Sequence, residues 1–157
     1  MKSDIALQNP QDLLSKLKRE GVRLNKAVEN QSGDEMVDNF FNFCVTAYHI
    51  SDWLLNTPGA PPIRKEVHDF IEGTPVLSAC RDICCHAKHF RVSSPFTKKL
   101  EVSLTSITRE ISSSGQMSLK GTVDFDIIMN DGIRFRSGSF TNKAISSWEV
   151  FFRDHNV

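Results

Sequence analysis

The chain of 157 residues lacks long apolar runs and has no excess of either charge. No run approaches the roughly 18 apolar residues that a membrane-spanning helix needs, and residues 1–9 lack the apolar segment of a secretory signal. We therefore expect neither a membrane span nor a secretory leader. Nineteen basic and nineteen acidic side chains cancel, so binding to a polyanion would require a local patch.

Cysteine is scarce, and its placement disfavours disulfides. Three of the four cysteines fall in one predicted helix, where Cys80 and Cys84 are one turn apart while adjacent Cys84 and Cys85 point in different directions. This arrangement favours free thiols in a reducing, cytoplasmic compartment. Cys80 with Cys84, and Cys85 with His89, lie on different helix faces and so do not predict a zinc site. We predict no metal and no cofactor.

The chain does contain a clear change from helical to strand-like periodicity. Apolar residues at three- and four-residue steps predict a helical bundle within residues 10–92, with helices over 10–29, 35–56, 63–72 and 75–91. Antiparallel strands are expected within 97–140, and a C-terminal helix within 141–155, centred on 142–154. The predicted fold class is α+β: an antiparallel helical bundle, a small antiparallel β-sheet and a C-terminal helix, in one domain over residues 1–157.

Capping residues and apolar spacing predict the helix ends and the core face of the second helix. Asn9-Pro10 and Thr74-Pro75 each join a cap to a proline at the first helical position, and Asp34 and Thr141 are predicted caps. The predicted core face of the second helix consists of Val37, Phe40, Phe41, Cys44, Ala47, Tyr48, Ser51, Leu54 and Leu55. The opposite face holds Asn42, Val45, His49, Asp52 and Trp53.

The strands show period-two alternation. Leu100, Val102 and Leu104 alternate with polar residues, and a change of phase near Thr105-Ser106 predicts a bulge or a break between two short strands. Strict alternation from Met117 to Met129 predicts one strand.

The turn after this strand fixes the register of the next one. Asn130-Asp131-Gly132 is hairpin chemistry, and it does not fit a Rossmann or P-loop nucleotide site. A three-residue loop with Gly132 in the left-handed conformation pairs Ile127 with Phe135. The same register sets Asp126 opposite Arg136, a favourable cross-strand pair.

The helix predicted over 75–91 carries an unusual polar face. At 100° per residue, the residues that fall together are Arg81, Cys85, Lys88 and His89, with Asp82 beside His89 and His86 on the far side. Two cations and an imidazole on one surface suit phosphate binding and proton transfer. The alternative is an ordinary solvated face, since amphipathic helices routinely carry such residues. Cys85 is either an activated thiol or a bystander, and we favour the bystander.

A second polar pair lies on the second helix. His49 and Asp52 are three residues apart and therefore neighbours on the helix surface, and Trp53 is one turn from His49. The pair predicts either an oriented catalytic imidazole or a structural histidine held by Asp52.

Arg81, the polar Asp82 after it and the nearby histidines resemble the Arg-x(4–6)-His motif of the HEPN family. His86 follows Arg81 after four intervening residues and fits the motif, whereas His89 follows after seven but shares the face of Arg81. The resemblance covers residues 10–92. Three segments also look like a group of small bacterial and phage proteins that end in a β-hairpin and a helix with a tryptophan, here Trp148: His49-Ile50-Ser51-Asp52-Trp53, Cys80-Arg81-Asp82-Ile83 and Lys88-His89-Phe90.

The resemblance implies a metal-independent endoribonuclease of a toxin–antitoxin or phage-defence system. His89 or His86 would take the proton from an RNA 2′-hydroxyl, while Arg81 and Lys88 would stabilise the charge on the phosphorane. Asp82 or Asp52 would orient the imidazole, with His49 in the same cleft. A site this sparse implies a homodimer, and the setting implies RNA and an antitoxin or another protein as partners.

HEPN proteins without an intact motif often serve as non-catalytic partners, so the resemblance also includes a catalytically degenerate relative. The alternative, from a different class, is a non-enzymatic helical interaction module whose hairpin and polar helix face contact a protein partner. Arg81, Asp82, Lys88 and His89 would then form structural salt bridges that fix the packing of the helices.

Overall fold

The computed structural model describes residues 7–30, 32–59, 61–88, 100–105, 110–111, 117–118, 124–129 and 132–157. The helices in these ranges are α1 (Pro10–Glu29), α2 (Gly33–Asn56), α3 (Arg64–Gly73), α4 (Pro75–Lys88) and α5 (Ser137–His155). The strands are β1 (Leu100–Thr105), β2 (Glu110–Ile111), β3 (Met117–Ser118), β4 (Asp124–Met129) and β5 (Arg134–Arg136). The predicted α+β class, with its bundle, antiparallel sheet and C-terminal helix, is confirmed. In these ranges no helix has both the length and the apolar character to cross a membrane.

The first helices begin where caps and prolines favour a start. The side chain of Asn9 accepts a hydrogen bond from the Asp12 backbone N–H at 2.9 Å, and Pro10 takes the first helical position. The predicted cap Asp34 is wrong, because Ser32 holds that position and α2 begins at Gly33. The predicted end of the fourth helix at 91 lies outside the described residues.

The last helix begins earlier than predicted. Thr141 is not its cap: it is fully buried inside α5, where its hydroxyl donates to the Gly138 carbonyl at 3.0 Å. Arg136 is at once the last residue of β5 and the N-cap of α5. The strand therefore runs directly into the helix, with no loop for a separate cap to close.

The buried face of α2 is rotated from the predicted one. Val37 and Phe41, predicted to point inward, are 58% and 38% exposed, whereas Phe43 and Ile50 are fully buried. The rotation is smaller than one residue step of about 100°. It arises because α1, α3, α4 and α5 all contact α2, so the directions of these four neighbours set the core face.

The main sheet has the antiparallel order β1-β4-β5. Ile127 pairs with Phe135 and Asp126 with Arg136, and Gly132 has a φ of +84°. The predicted register and left-handed glycine are therefore confirmed. The ring of Phe135 meets that of Phe140 with centroids 5.8 Å apart, which packs the inner face of the sheet on α5.

The described parts of the stretch from Met117 to Met129 are two strands with different partners. β3 pairs with β2, whereas β4 pairs with β1 and β5. The predicted bulge or break falls on residues 106–109, which lie outside the described ranges.

Gly21 lets α1 approach the rest of the bundle closely. A Cβ atom at this position would lie 3.2 Å from Cδ1 of Ile145 on α5 and 3.5 Å from Cε2 of Phe43 on α2. Gly21 is therefore the point where α1, α2 and α5 meet.

We expect Gly21→Val to destabilise the fold by about 1–3 kcal/mol, because the added methyl groups overpack this contact. Gly21→Ala should change stability less, since better helix propensity of about 1 kcal/mol offsets the push on Ile145. Chemical denaturation measures both. The control is Gly33→Val, where an added Cβ meets nothing within 4 Å; an equal loss there would contradict the packing explanation.

Candidate functional site

Arg81, in the second turn of α4, is held by two carboxylates. Its Nε donates to Oδ1 of Asp82 at 2.9 Å, and its Nη2 lies 2.9 Å from the same oxygen. Its Nη1 donates to Oε1 of Glu72, in the last turn of α3. Because α3 ends at Gly73 and α4 begins at Pro75, the bond to Glu72 spans the corner between the two helices.

Asp82 is buried, which the polar-face prediction did not anticipate. It is 2% exposed, as is Ser78 one turn before it. The cause is that α2, α3 and α5 all contact α4, so its burial extends beyond a single amphipathic stripe. The buried carboxylate of Asp82 therefore acts as a counter-ion of Arg81, whose own side chain is only 14% exposed.

The two carboxylates also fix the charge state of Arg81. Burial by itself would lower the pKa of the guanidinium, but the hydrogen bond and charge of Asp82, together with Glu72, raise that pKa above its usual value. Arg81 is therefore a permanent cation whose charge is balanced inside the protein.

Tyr48 on α2 faces this cluster across the seam between α2 and α4. Burial raises the pKa of its phenol, Cys85 and Asp52 raise it further, and Arg81 lowers it. The contact between α2 and α4 thus brings Arg81 and Cys85 within electrostatic range of Tyr48. The sequence prediction assigned Tyr48 to the core; its four-residue spacing from Asp52 was the available signal that the two share a flank.

Asp52 lies on the flank of α2 that carries Tyr48, and His49 lies between that flank and the side toward α1. Asp52 is exposed and lies one turn after Tyr48. Thr46 marks the side toward α1, because its hydroxyl accepts a hydrogen bond from Nζ of Lys16 at 2.6 Å. His49 is three residues from both Thr46 and Asp52, so helix geometry places it between the two.

The other predicted site residues fall where the structure gives no side-chain detail. His86 and Lys88 are in the last turn of α4, among side chains outside the described set. His89 follows α4 and lies outside the described residues. Of the predicted set, the structure pairs Arg81 with Asp82 and adds Glu72 as a second partner. Asp52 is linked to them only through Tyr48, whose pKa both Asp52 and Arg81 influence.

The described groups of this seam are a poor match for a phosphate. One guanidinium is paired with two carboxyl groups, those of Asp82 and Glu72. An incoming phosphate would have to displace one carboxylate from Arg81 and would meet the other nearby. The arrangement is well suited to fixing the geometry of α3 and α4.

The cysteines add packing to the same seam. All four are free thiols, as predicted, and Cys44, Cys80 and Cys84 are buried. Burial raises the pKa of the Cys44 thiol, and its hydrogen bond with Cys80 and the nearby Cys84 raise it further. A thiol with a raised pKa is a weak nucleophile, so Cys44 behaves as a small apolar residue. Burial gives Cys80 and Cys84 the same packing role. Within the described part of the chain, no three His, Cys, Asp or Glu side chains are placed to hold a metal ion.

Comparison with known proteins identifies no relative. No family model, no curated protein and no solved structure matches this chain. The function must therefore be argued from the chemistry of the seam and of the surface around it.

Proposed function

We propose that this protein is a non-enzymatic, HEPN-like helical interaction module, a catalytically degenerate relative of the metal-independent RNases that its motif resembles. The observation that carries the proposal is the state of Arg81. Its guanidinium is bound to the buried Asp82 and to Glu72, and its side chain is only 14% exposed. An arginine that stabilises a phosphorane needs free N–H groups directed at the substrate.

In this proposal Arg81 acts on structure. Its ion pair with Glu72 fixes the angle between α3 and α4. The outer faces of the bundle are thereby held in one arrangement for a protein partner. Rigid binding surfaces lose less conformational entropy on association. The setting proposed from the HEPN resemblance is phage defence or a toxin–antitoxin system in the cytoplasm, with an antitoxin or another protein as the partner.

The proposal predicts that the purified protein does not cleave RNA. A mixed-sequence RNA incubated with the wild type should remain intact, with or without EDTA, and His89→Ala should behave identically. Gel analysis of labelled RNA measures this directly. The contradicting result is cleavage that leaves 2′,3′-cyclic phosphate ends, persists in EDTA and falls by about 10²-fold in His89→Ala, the scale expected for a lost general base. That result would show that the protein is an RNase.

The RNase is the second candidate because of one specific observation. Arg81 and Asp52 both influence the pKa of Tyr48, and Glu72, the outer partner of Arg81, has a side chain that is 57% exposed and so is free to rotate away. A homodimer would then have to complete the site. Light scattering measures that assembly. The variant His86→Ala distinguishes the two histidines. If the spacing of the motif decides, His86→Ala is inactive; if the helix face shared with Arg81 decides, His86→Ala stays active and His89 is the catalytic histidine.

A further inference from the structure

The outer side of α1 carries a compact set of cations around an exposed aliphatic side chain. Arg19, Val22, Arg23 and Lys26 occupy one face over two turns, about 10 Å of helix, and we call them the basic face of α1. All four are exposed. Val22 is 68% exposed, the highest value for a large hydrophobic side chain in the described part of the chain.

The inner side of α1 fixes this face in position. Leu17 and Leu24 are fully buried, and the Gly21 backbone lies against α2 and α5. Buried residues recur along the whole length of the helix from Leu13 to Ala27. The basic face is therefore displayed on a rigid, preformed helix.

Some charged side chains of α1 form ion pairs within the described part of the chain, and others do not. Glu20 is only 4% exposed and lies on the inner side, where it binds Nζ of Lys16 at 3.1 Å and Nη1 of Arg23 at 2.9 Å. In the ranges that the structure describes, neither Arg19 nor Lys26 has an ion-pair partner, and Arg23 keeps a side chain that is 60% exposed. The protein as a whole has no net charge, so this face is a local excess of positive charge.

The composition of the basic face indicates what would bind it. Guanidinium groups pair with carboxylates in a two-pronged geometry, and Val22 offers an apolar contact between the cations. Nucleic acid fits less well, because the face has no aromatic side chain on which a base could stack and the chain has no basic excess. A helix that displays glutamate or aspartate beside aliphatic side chains complements both features.

We propose that the basic face of α1 is the docking surface for an acidic, amphipathic helix of a partner protein. The carboxylates of that helix would pair with Arg19, Arg23 and Lys26, and an aliphatic side chain would cover Val22. The inference rests on the proposed interaction function and names the class of partner. It involves none of the residues of the seam between α2 and α4.

The probe is a fluorescein-labelled synthetic helix that carries glutamates on one face with leucines between them. Fluorescence anisotropy of the full chain should show binding that weakens as salt is raised, since exposed charges are screened over a Debye length of about 10 Å at 0.1 M. The double variant Arg19→Glu with Lys26→Glu should weaken binding by at least about tenfold, through like-charge repulsion and lost pairing. Val22→Ser should weaken it by about threefold, through lost apolar contact.

The matched control is Arg64→Glu with Lys65→Glu, which makes the same change in net charge on the exposed start of α3. It should leave affinity for the acidic helix within about threefold, since its charges lie on another surface. Val37→Ser, at an exposed valine of α2, is the control for Val22. Circular dichroism checks that every variant is folded.

Three outcomes would overturn the inference. These are no binding of the acidic helix, an equal loss in the α3 control, or tighter binding of an oligouridylate through the same α1 residues. The RNA-cleavage assay reports on the proposed function separately. If the protein cleaves RNA and still binds the acidic helix through α1, the non-enzymatic function is wrong and the docking surface stands. If it neither cleaves RNA nor binds the acidic helix, only the docking surface is wrong.

Discussion

Trp148→Ala should lower the free energy of unfolding by about 3–5 kcal/mol, the scale for deleting a fully buried aromatic side chain. Trp148 is completely buried in α5, and its ring contacts those of Phe70 on α3 and Phe151, with centroids 5.7 and 5.8 Å away. Its indole N–H donates to the Ala47 carbonyl of α2 at 3.0 Å. One side chain therefore joins α5 to two other helices, and urea denaturation followed by circular dichroism measures its loss.

Trp148→Phe separates packing from hydrogen bonding. It keeps an aromatic ring but removes the donor to Ala47, and we expect a loss of about 1–2 kcal/mol from the missing bond and the smaller volume. The control on the same helix is Val150→Ala, at a side chain that is 39% exposed, which should stay within about 0.5 kcal/mol. If Trp148→Ala cost no more than Val150→Ala, the packing of α5 described above would be incorrect.

Local chemistry made much of the fold predictable. Asn9-Pro10 decides the start of α1, since the amide caps and proline needs no partner for its missing N–H. Gly132 decides the hairpin, because a left-handed residue there sets Ile127 opposite Phe135. Each of these signals acts between residues that are close in the sequence, so no knowledge of the rest of the fold is needed.

The features that were missed depend on neighbours distant in the sequence. Four helices contact α2, so Phe43 and Ile50 are buried while Val37 and Phe41 remain exposed. The periodicity of a helix shows that it has an apolar face, but the exact direction of that face is set by the helices that pack on it. The early start of α5 has a similar origin, because the last residue of β5 is also the N-cap of α5.

The pairing of Arg81 could not be predicted from the sequence. The spacing of Arg81 and Asp52 marked them as polar positions on two helices, and both influence the pKa of Tyr48. Burial of Asp82 and the reach of Glu72 to Arg81 depend on how α3 and α4 meet at their corner. The sequence predicted that Arg81 binds phosphate, whereas in the structure Arg81 is bound by carboxylates.

Arg81→Ala should destabilise the protein by about 3–5 kcal/mol, the scale for removing one partner of a buried ion pair. The change deprives the buried carboxylate of Asp82 of its cation and releases Glu72 from the corner between α3 and α4. Arg81→Lys should recover only part of the loss, because an ammonium cannot reproduce the two N–H contacts that Nε and Nη2 make with one oxygen. Thermal and urea denaturation measure both variants.

Arg153 offers a matched control within the same chain. Its Nε also bonds to the carboxylate of the next residue, Asp154, at 3.0 Å, but the two side chains are 72% and 52% exposed. Since exposed ion pairs contribute about 0–1 kcal/mol, Arg153→Ala should have little effect. The two arginines thus share the same local pairing and differ in burial, so the difference between their losses isolates the contribution of the enclosed site. Equal and small losses would show that Arg81 is dispensable to the fold, and would return it to consideration as a group that binds substrate.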